Sequence, residues 1–182
     1  ASWITDGSRI LRIEQEQASE AVATFLSSRP NAGVVRFDGF DGVGKTTIGR
    51  QVAARIGAQF IDSDDYANAY DDPPGYVECL RLDELRQEIE DAIARGAVVL
   101  AGVCSAELWP GPSVSIYIKR MSFSTPEWPI WFKEFQFDDP LPLIQPHRSI
   151  MQYHLTHRPH DIADLVLELP DLGQTLEGTI PR

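Results

Sequence analysis

The sequence predicts an α/β fold, a three-layer α/β/α sandwich with helices on both faces of a five-stranded, mostly parallel sheet. Three observations predict it. Short apolar runs at 33–38, 58–61, 97–101, 113–119 and 165–169 have the length and composition of buried strands. Between them lie segments whose apolar residues recur every three or four positions, as on a helix with one buried face. Strands separated by helices pair in parallel, because each crossover must return along a face of the sheet. The third observation is GFDGVGKT at 39–46, directly after the first of these runs. It fits the phosphate-loop pattern of Gly, four residues, Gly, Lys, then Ser or Thr.

Taken in order, residues 8–13 read as a short strand and 14–28 as a helix with Ala18, Val22, Phe25 and Leu26 on one stripe. This piece precedes the nucleotide core and is expected as an element added to its outside. The strand at 33–38 then enters the loop. Glycines 39, 42 and 44 let the backbone turn with its N–H groups facing phosphate oxygens. Ile48, Val52 and Ile56 mark the following helix, and Gly57 ends it. The loop therefore meets a helix N-terminus, whose partial positive charge favours anions. With this loop between strand and helix, the architecture is that of a P-loop NTPase.

The strand at 58–61 runs into Asp62-Ser63-Asp64-Asp65-Tyr66, and 70–76 (YDDPPGY) has turn composition. Leu82, Leu85, Ile89 and Ile93 define a helix over 82–95, stopped by Gly96. The AVVLA strand at 97–101 is apolar throughout, as expected for burial on both faces. SVSIYIK at 113–119 and LVLEL at 165–169 complete the set, the last closed by Pro170. Residues 121–145 carry Phe123, Trp128, Trp131, Phe132, Phe135 and Phe137 among four prolines, without helical periodicity. Two readings of 121–148 stand: an aromatic flap packed on the body, and a lid over the site.

At 182 residues the chain is expected to form one domain. A net charge of −11 disfavours a nucleic-acid surface, which demands clustered Lys and Arg. No apolar stretch reaches the roughly 20 residues of a membrane span, and ASWITDGSRI lacks the regions of a signal peptide. Cys79 and Cys104 read as reduced, packed thiols, so the expectation is a cytoplasmic monomer or homodimer. His147, His154, His157 and His160 lack zinc-ligand spacing and read as surface or helix-face residues.

Phosphoryl transfer needs a phosphate cradle, a metal, a base for the acceptor hydroxyl and positive charge around the moving group. The expected nucleotide-binding set is Gly39, Asp41, Gly42, Val43, Gly44, Lys45, Thr46 and Thr47. Lys45 reaches the outer phosphates of ATP, and the Thr46 hydroxyl ligates Mg²⁺. The DSDD run offers carboxylates for base and metal. Its plainer reading is a helix cap and turn, yet three acids within four residues repel unless a cation or a hydroxyl shares the site.

GFDGVGKTT followed by FIDSDDY resembles the small P-loop kinases of the nucleoside- and shikimate-kinase-like group, and the GFDG opening is similar to thymidylate kinases. The shikimate-kinase-like Asp-x-Asp is matched by Asp62 and Asp64, the uridine-kinase-like Asp-x-aromatic by Asp64 and Tyr66. The resemblance implies Asp64 as general base and Asp62 as a magnesium helper. Tyr153-His154, Arg158-Pro159 and Ala163-Asp164-Leu165-Val166 resemble the uridine-kinase-like tail. The likeness spans 34–169, with two departures. Ala101 stands before Gly102 where many relatives carry an acid, and Lys133 is the only basic residue within 122–145, where relatives bring arginines. Lys119, Arg120 and Arg148 are the candidates for that missing charge, with Arg120 taken as a catalytic residue. Glu78 and Arg81 read either as acceptor-pocket residues or as an exposed helix start.

The expected activity is transfer of the γ-phosphoryl of ATP to a hydroxyl of a small molecule: a nucleoside, a sugar or polyol, or an antibiotic-like compound. The alternatives are a non-catalytic ATP-binding regulatory module and an NTPase with water as acceptor.

Overall fold

A computed structural model of the chain describes residues 9–29, 31–120 and 145–171. The apolar runs form strands because each alternates or fills buried positions: β1 (Ile10–Arg12), β2 (Val34–Asp38), β3 (Gln59–Asp62), β4 (Val98–Ala101), β5 (Val114–Arg120) and β6 (Leu165–Leu169). They make one sheet in the order β1-β6-β5-β2-β4-β3, and every pair is parallel. The sheet has six strands rather than the expected five. The sixth is the N-terminal strand, added at the edge of the sheet: Ile10–Arg12 pairs in register with Val166–Glu168, and the Ile13 N–H donates to the Glu168 carbonyl at 3.1 Å. An edge strand leaves a row of unpaired backbone groups, and β1 satisfies that row on β6.

The helices are α1 (Gln15–Ser27), α2 (Lys45–Ile56), α3 (Leu82–Arg95), the single turn α4 (Ser105–Leu108), α5 (His147–His157) and the single turn α6 (Pro159–Ile162). Each long helix buries the stripe its periodicity marks: Ala18, Val22 and Leu26 on α1, Ile48 and Val52 on α2, Leu85 and Ile89 on α3. Each fully buried aliphatic side chain contributes roughly 2 kcal/mol of transfer free energy. All four residues of β4 are buried, as a central strand covered on both faces requires. Among the described residues no helix is long and apolar enough to cross a membrane. The aromatic segment assigned above to 121–148 lies outside the described residues as far as 144, and its last residues enter α5.

Of the two expectations for the histidines, His154 meets the helix-face one, on the buried side of α5. It is 1% exposed, its Nδ1 lies 2.8 Å from the Ile150 carbonyl, and its Nε2 lies 2.9 Å from the Tyr117 hydroxyl. Burial pushes its pKa down to about 4 from the ordinary 6.5, against the pull of Asp38. The folded state therefore holds neutral imidazole while the unfolded chain takes up a proton below pH 6.5. This contribution is complete above that pH and is lost as the pH falls towards 4, a decrease of about 3 kcal/mol. Urea titrations at a series of pH values should show the decline, and His154→Phe should flatten it.

Candidate active site

Parallel α/β sheets present ligand sites beyond the carboxyl ends of their strands, and the motifs meet there. Gly39–Gly44 leaves β2 and turns into α2, with Gly39, Gly42 and Gly44 all at positive φ. Gly39 has no alternative. At φ +141° a Cβ would collide with the Ile118 carbonyl oxygen of β5, so the loop begins flush against a central strand. Asp62 ends β3 beside Ala101 of β4, and a single 3₁₀ turn carries Ser63, Asp64, Asp65 and Tyr66 over the strand ends.

A cavity of about 250 Å³ opens between these two segments. Asp41, Gly42, Gly44, Lys45, Thr46 and Thr47 line one side; Asp62, Asp64, Gly102 and Val103 line the other. The Thr46 Oγ1 hydroxyl donates to Asp62 Oδ2 at 2.8 Å, joining the two walls. Asp62 Oδ1 accepts from the Asp64 N–H at 3.0 Å. The cap-and-turn reading of the DSDD run is thus seen in Asp62, whose other carboxylate oxygen meets the phosphate loop at Thr46.

Lys45 is 8% exposed and its Nζ donates to the Phe40 carbonyl at 2.6 Å. Burial lowers its pKa, while Asp41, Asp38, Asp64 and Asp62 favour the charged form. Asp64 is solvent-accessible as a residue, but its carboxylate lies among the cavity walls. That partial desolvation raises its pKa; Asp62 and Asp41 push the same way, while the Tyr76 hydrogen bond and Lys45 oppose. A carboxylate made more basic in this way is a better proton acceptor near neutral pH.

Tyr76, from the YDDPPGY turn, is the residue the sequence did not single out. Its hydroxyl donates to Asp64 Oδ1 at 2.7 Å and lies 2.7 Å from Ser63 Oγ. Its backbone N–H donates to Ser149 Oγ of α5 at 2.8 Å. Gly102 makes room for this cluster, because a Cβ there would collide with the buried Ser63 hydroxyl. A tyrosine twelve residues beyond an aspartate carries no local signal of contact; the pairing arises where the turn folds back.

The expected source of additional positive charge meets a different geometry. Strand alternation sends Lys119 and Arg120 to opposite faces of β5. Lys119 pairs with Glu168 on β6 at 3.1 Å, where Arg12 also binds. Arg120 is 4% exposed and absent from the cavity lining; its guanidinium donates to the Pro170 carbonyl at 3.0 Å and to Gln15 Oε1 at 2.7 Å. It passes beside the loop, 3.5 Å from where a Cβ on Gly44 would sit. Arg148 sits in the first turn of α5 and also lies off the lining. Arg81 donates to Glu84, Asn68 and the Asp65 carbonyl, pinning the start of α3, while Glu78 lines a separate hollow with Cys104 and Gln152.

The lining therefore opposes the Asp41, Asp62 and Asp64 carboxylates to one ammonium. A polyphosphate entering such a lining needs a divalent cation with it. Among the described residues no three His, Cys, Asp or Glu side chains converge as a metal cage. Magnesium bound to phosphates needs only one or two protein oxygens, since it keeps several waters. Thr46 and Asp62 supply such a pair, so the donor set fits that ion.

Residues 41–70 match the shikimate kinase family, a span running from the phosphate loop through α2 and β3 past Asp62 and Asp64. A solved structure described as a possible uridine kinase from Bacillus stearothermophilus is similar with a TM-score of 0.58 at 15% identity, covering 85% of this chain and 100% of that one. At that identity the likeness is one of fold alone. No curated protein sequence matches the chain.

Proposed function

We propose that the chain is an ATP-dependent kinase that phosphorylates a hydroxyl of a small molecule. The observation that carries this reading is the shared cavity: Asp64 faces the same space as Lys45 and Thr46, and Thr46 is already bonded to Asp62. Pure nucleotide binding needs the loop but does not need a carboxylate of raised basicity opposite it.

In this reading the loop amides and the N-terminus of α2 hold the triphosphate, and Lys45 turns from the Phe40 carbonyl to the outer phosphates. Thr46 and Asp62 hold Mg²⁺, which when bound neutralises charge on the phosphates and fixes their orientation. The acceptor hydroxyl docks on Asp64, held from behind by Tyr76. As the acceptor oxygen bonds to the γ-phosphorus, its proton passes to Asp64 and the bond to the ADP oxygen breaks. Asp62 serves as the helper at the metal. Arg120 acts on the loop through its position beside Gly44 rather than on the moving phosphoryl group.

Incubation of the chain with MgATP and a panel of nucleosides, polyols and cyclic hydroxy acids, read by mass spectrometry, tests the proposal. The expected result is a product heavier by one phosphoryl group, formed in step with ADP. ADP release without such a product would make it an NTPase with water as acceptor. ATP binding without any turnover would leave the non-catalytic module, the reading favoured by Lys45 being the only cation on the cavity lining among the described residues.

A further inference from the structure

Behind the phosphate loop lies a buried charge that the proposed chemistry does not use. Asp38 ends β2, is 3% exposed, and immediately precedes Gly39. Its Oδ1 accepts from the Gly39 N–H at 2.8 Å. Its Oδ2 accepts from Ser105 Oγ at 3.0 Å and from the Tyr153 hydroxyl. Ser105 is fully buried and accepts from Arg36 at 2.9 Å, so its single proton is committed to Asp38. An isolated buried carboxylate costs several kcal/mol, and here three donors satisfy it, one of them the first peptide of the loop.

The residue after Tyr153 reaches the same loop. His154 stacks on Phe40 with ring centroids 4.1 Å apart and planes 5° from parallel. Phe40 is the residue whose carbonyl receives Lys45. His154 also bonds to Tyr117, the register partner of Asp38 on β5. Two consecutive α5 residues thus grip loop positions 38 and 40, while the Ile118 carbonyl closes the space beside Gly39.

We infer that Tyr153 and Ser105, acting through Asp38, are positioning residues for the phosphate loop, holding its first amide in the geometry that nucleotide binding requires. The inference rests on the loop binding nucleotide, not on the identity of the acceptor. A carboxylate can bind the Gly39 amide only while its own orientation is fixed, and the two hydroxyls fix it. A loop ordered before binding loses less conformational freedom when phosphate arrives, which raises affinity without a new contact. Asp38 also favours the charged form of Lys45 across the buried interior.

Tyr153→Phe and Ser105→Ala each remove one hydroxyl from Asp38; Ser105→Ala changes little volume and serves if the other variant folds poorly. Titration calorimetry with MgADP, alongside thermal unfolding, separates affinity from stability. Each variant should bind MgADP about five- to tenfold more weakly, part of the effect of losing a hydrogen bond to a charged group. The double variant should lose less than the product of the two, because both act on one carboxylate. Affinities within twofold of the unaltered chain, even with a lowered Tm, would reduce the network to a packing role and overturn the inference. Failure of the unaltered chain to bind MgADP would overturn the kinase reading and this inference with it.

Discussion

Asp64→Asn should lower kcat by about 10²–10⁴-fold, the range for losing a general base, with the affinity for MgADP nearly unchanged. Asparagine keeps the side-chain size and an oxygen able to accept the Tyr76 hydroxyl at the position of Asp64 Oδ1. The turn geometry also survives, because the Asp64 N–H bonds to Asp62 rather than to its own side chain. Only the capacity to take a proton disappears, a capacity that partial burial and the neighbouring Asp62 and Asp41 enhance in the native residue. Equal falls in kcat and kcat/KM for the acceptor would mark an interaction made only in the transition state. Initial rates over both substrates, with calorimetry for the nucleotide, measure it. Undiminished turnover would remove Asp64 from the chemistry and with it the kinase proposal in its present form.

Gly39→Ala should destabilise the fold by about 3 kcal/mol or more, combining backbone strain with overpacking. At φ +141° an L side chain is strained whatever the space, and its Cβ would meet the Ile118 carbonyl oxygen. That oxygen belongs to β5, which pairs with β2 on one side and β6 on the other, so it cannot yield without disturbing the middle of the sheet. For a chain of 182 residues the corresponding fall in Tm is roughly 6–12 °C. Calorimetric unfolding would show it. A Tm within about 2 °C of the native value would mean that the loop enters from β2 with more freedom than the close approach allows. The same residue is needed for the positive-φ turn and for contact with β5, so nucleotide affinity should fall together with stability.

Local pattern determined much of this molecule. The GFDGVGKT spacing dictates a loop between strand and helix because glycine tolerates the positive-φ turn, while lysine and a hydroxyl residue supply its chemistry. The stripes on α1, α2 and α3, and the unbroken apolar run of β4, express burial that any fold of this class would impose. Asp62 and Asp64 were legible because a strand end followed by clustered acids has few uses. Tertiary structure decided the rest. Pairing of β1 with β6 depends on which sheet edge is open, and a three-residue strand does not state its partner. The engagement of Lys119 by Glu168 and of Arg120 by Gln15 follows from strand register and from where the start of α1 meets the end of β5. The contacts of Tyr76 with Asp64, Tyr153 with Asp38 and His154 with Phe40 join residues 12, 115 and 114 positions apart. A side chain's hydrogen-bond partner is a property of the space it enters, and sequence separation carries no trace of it.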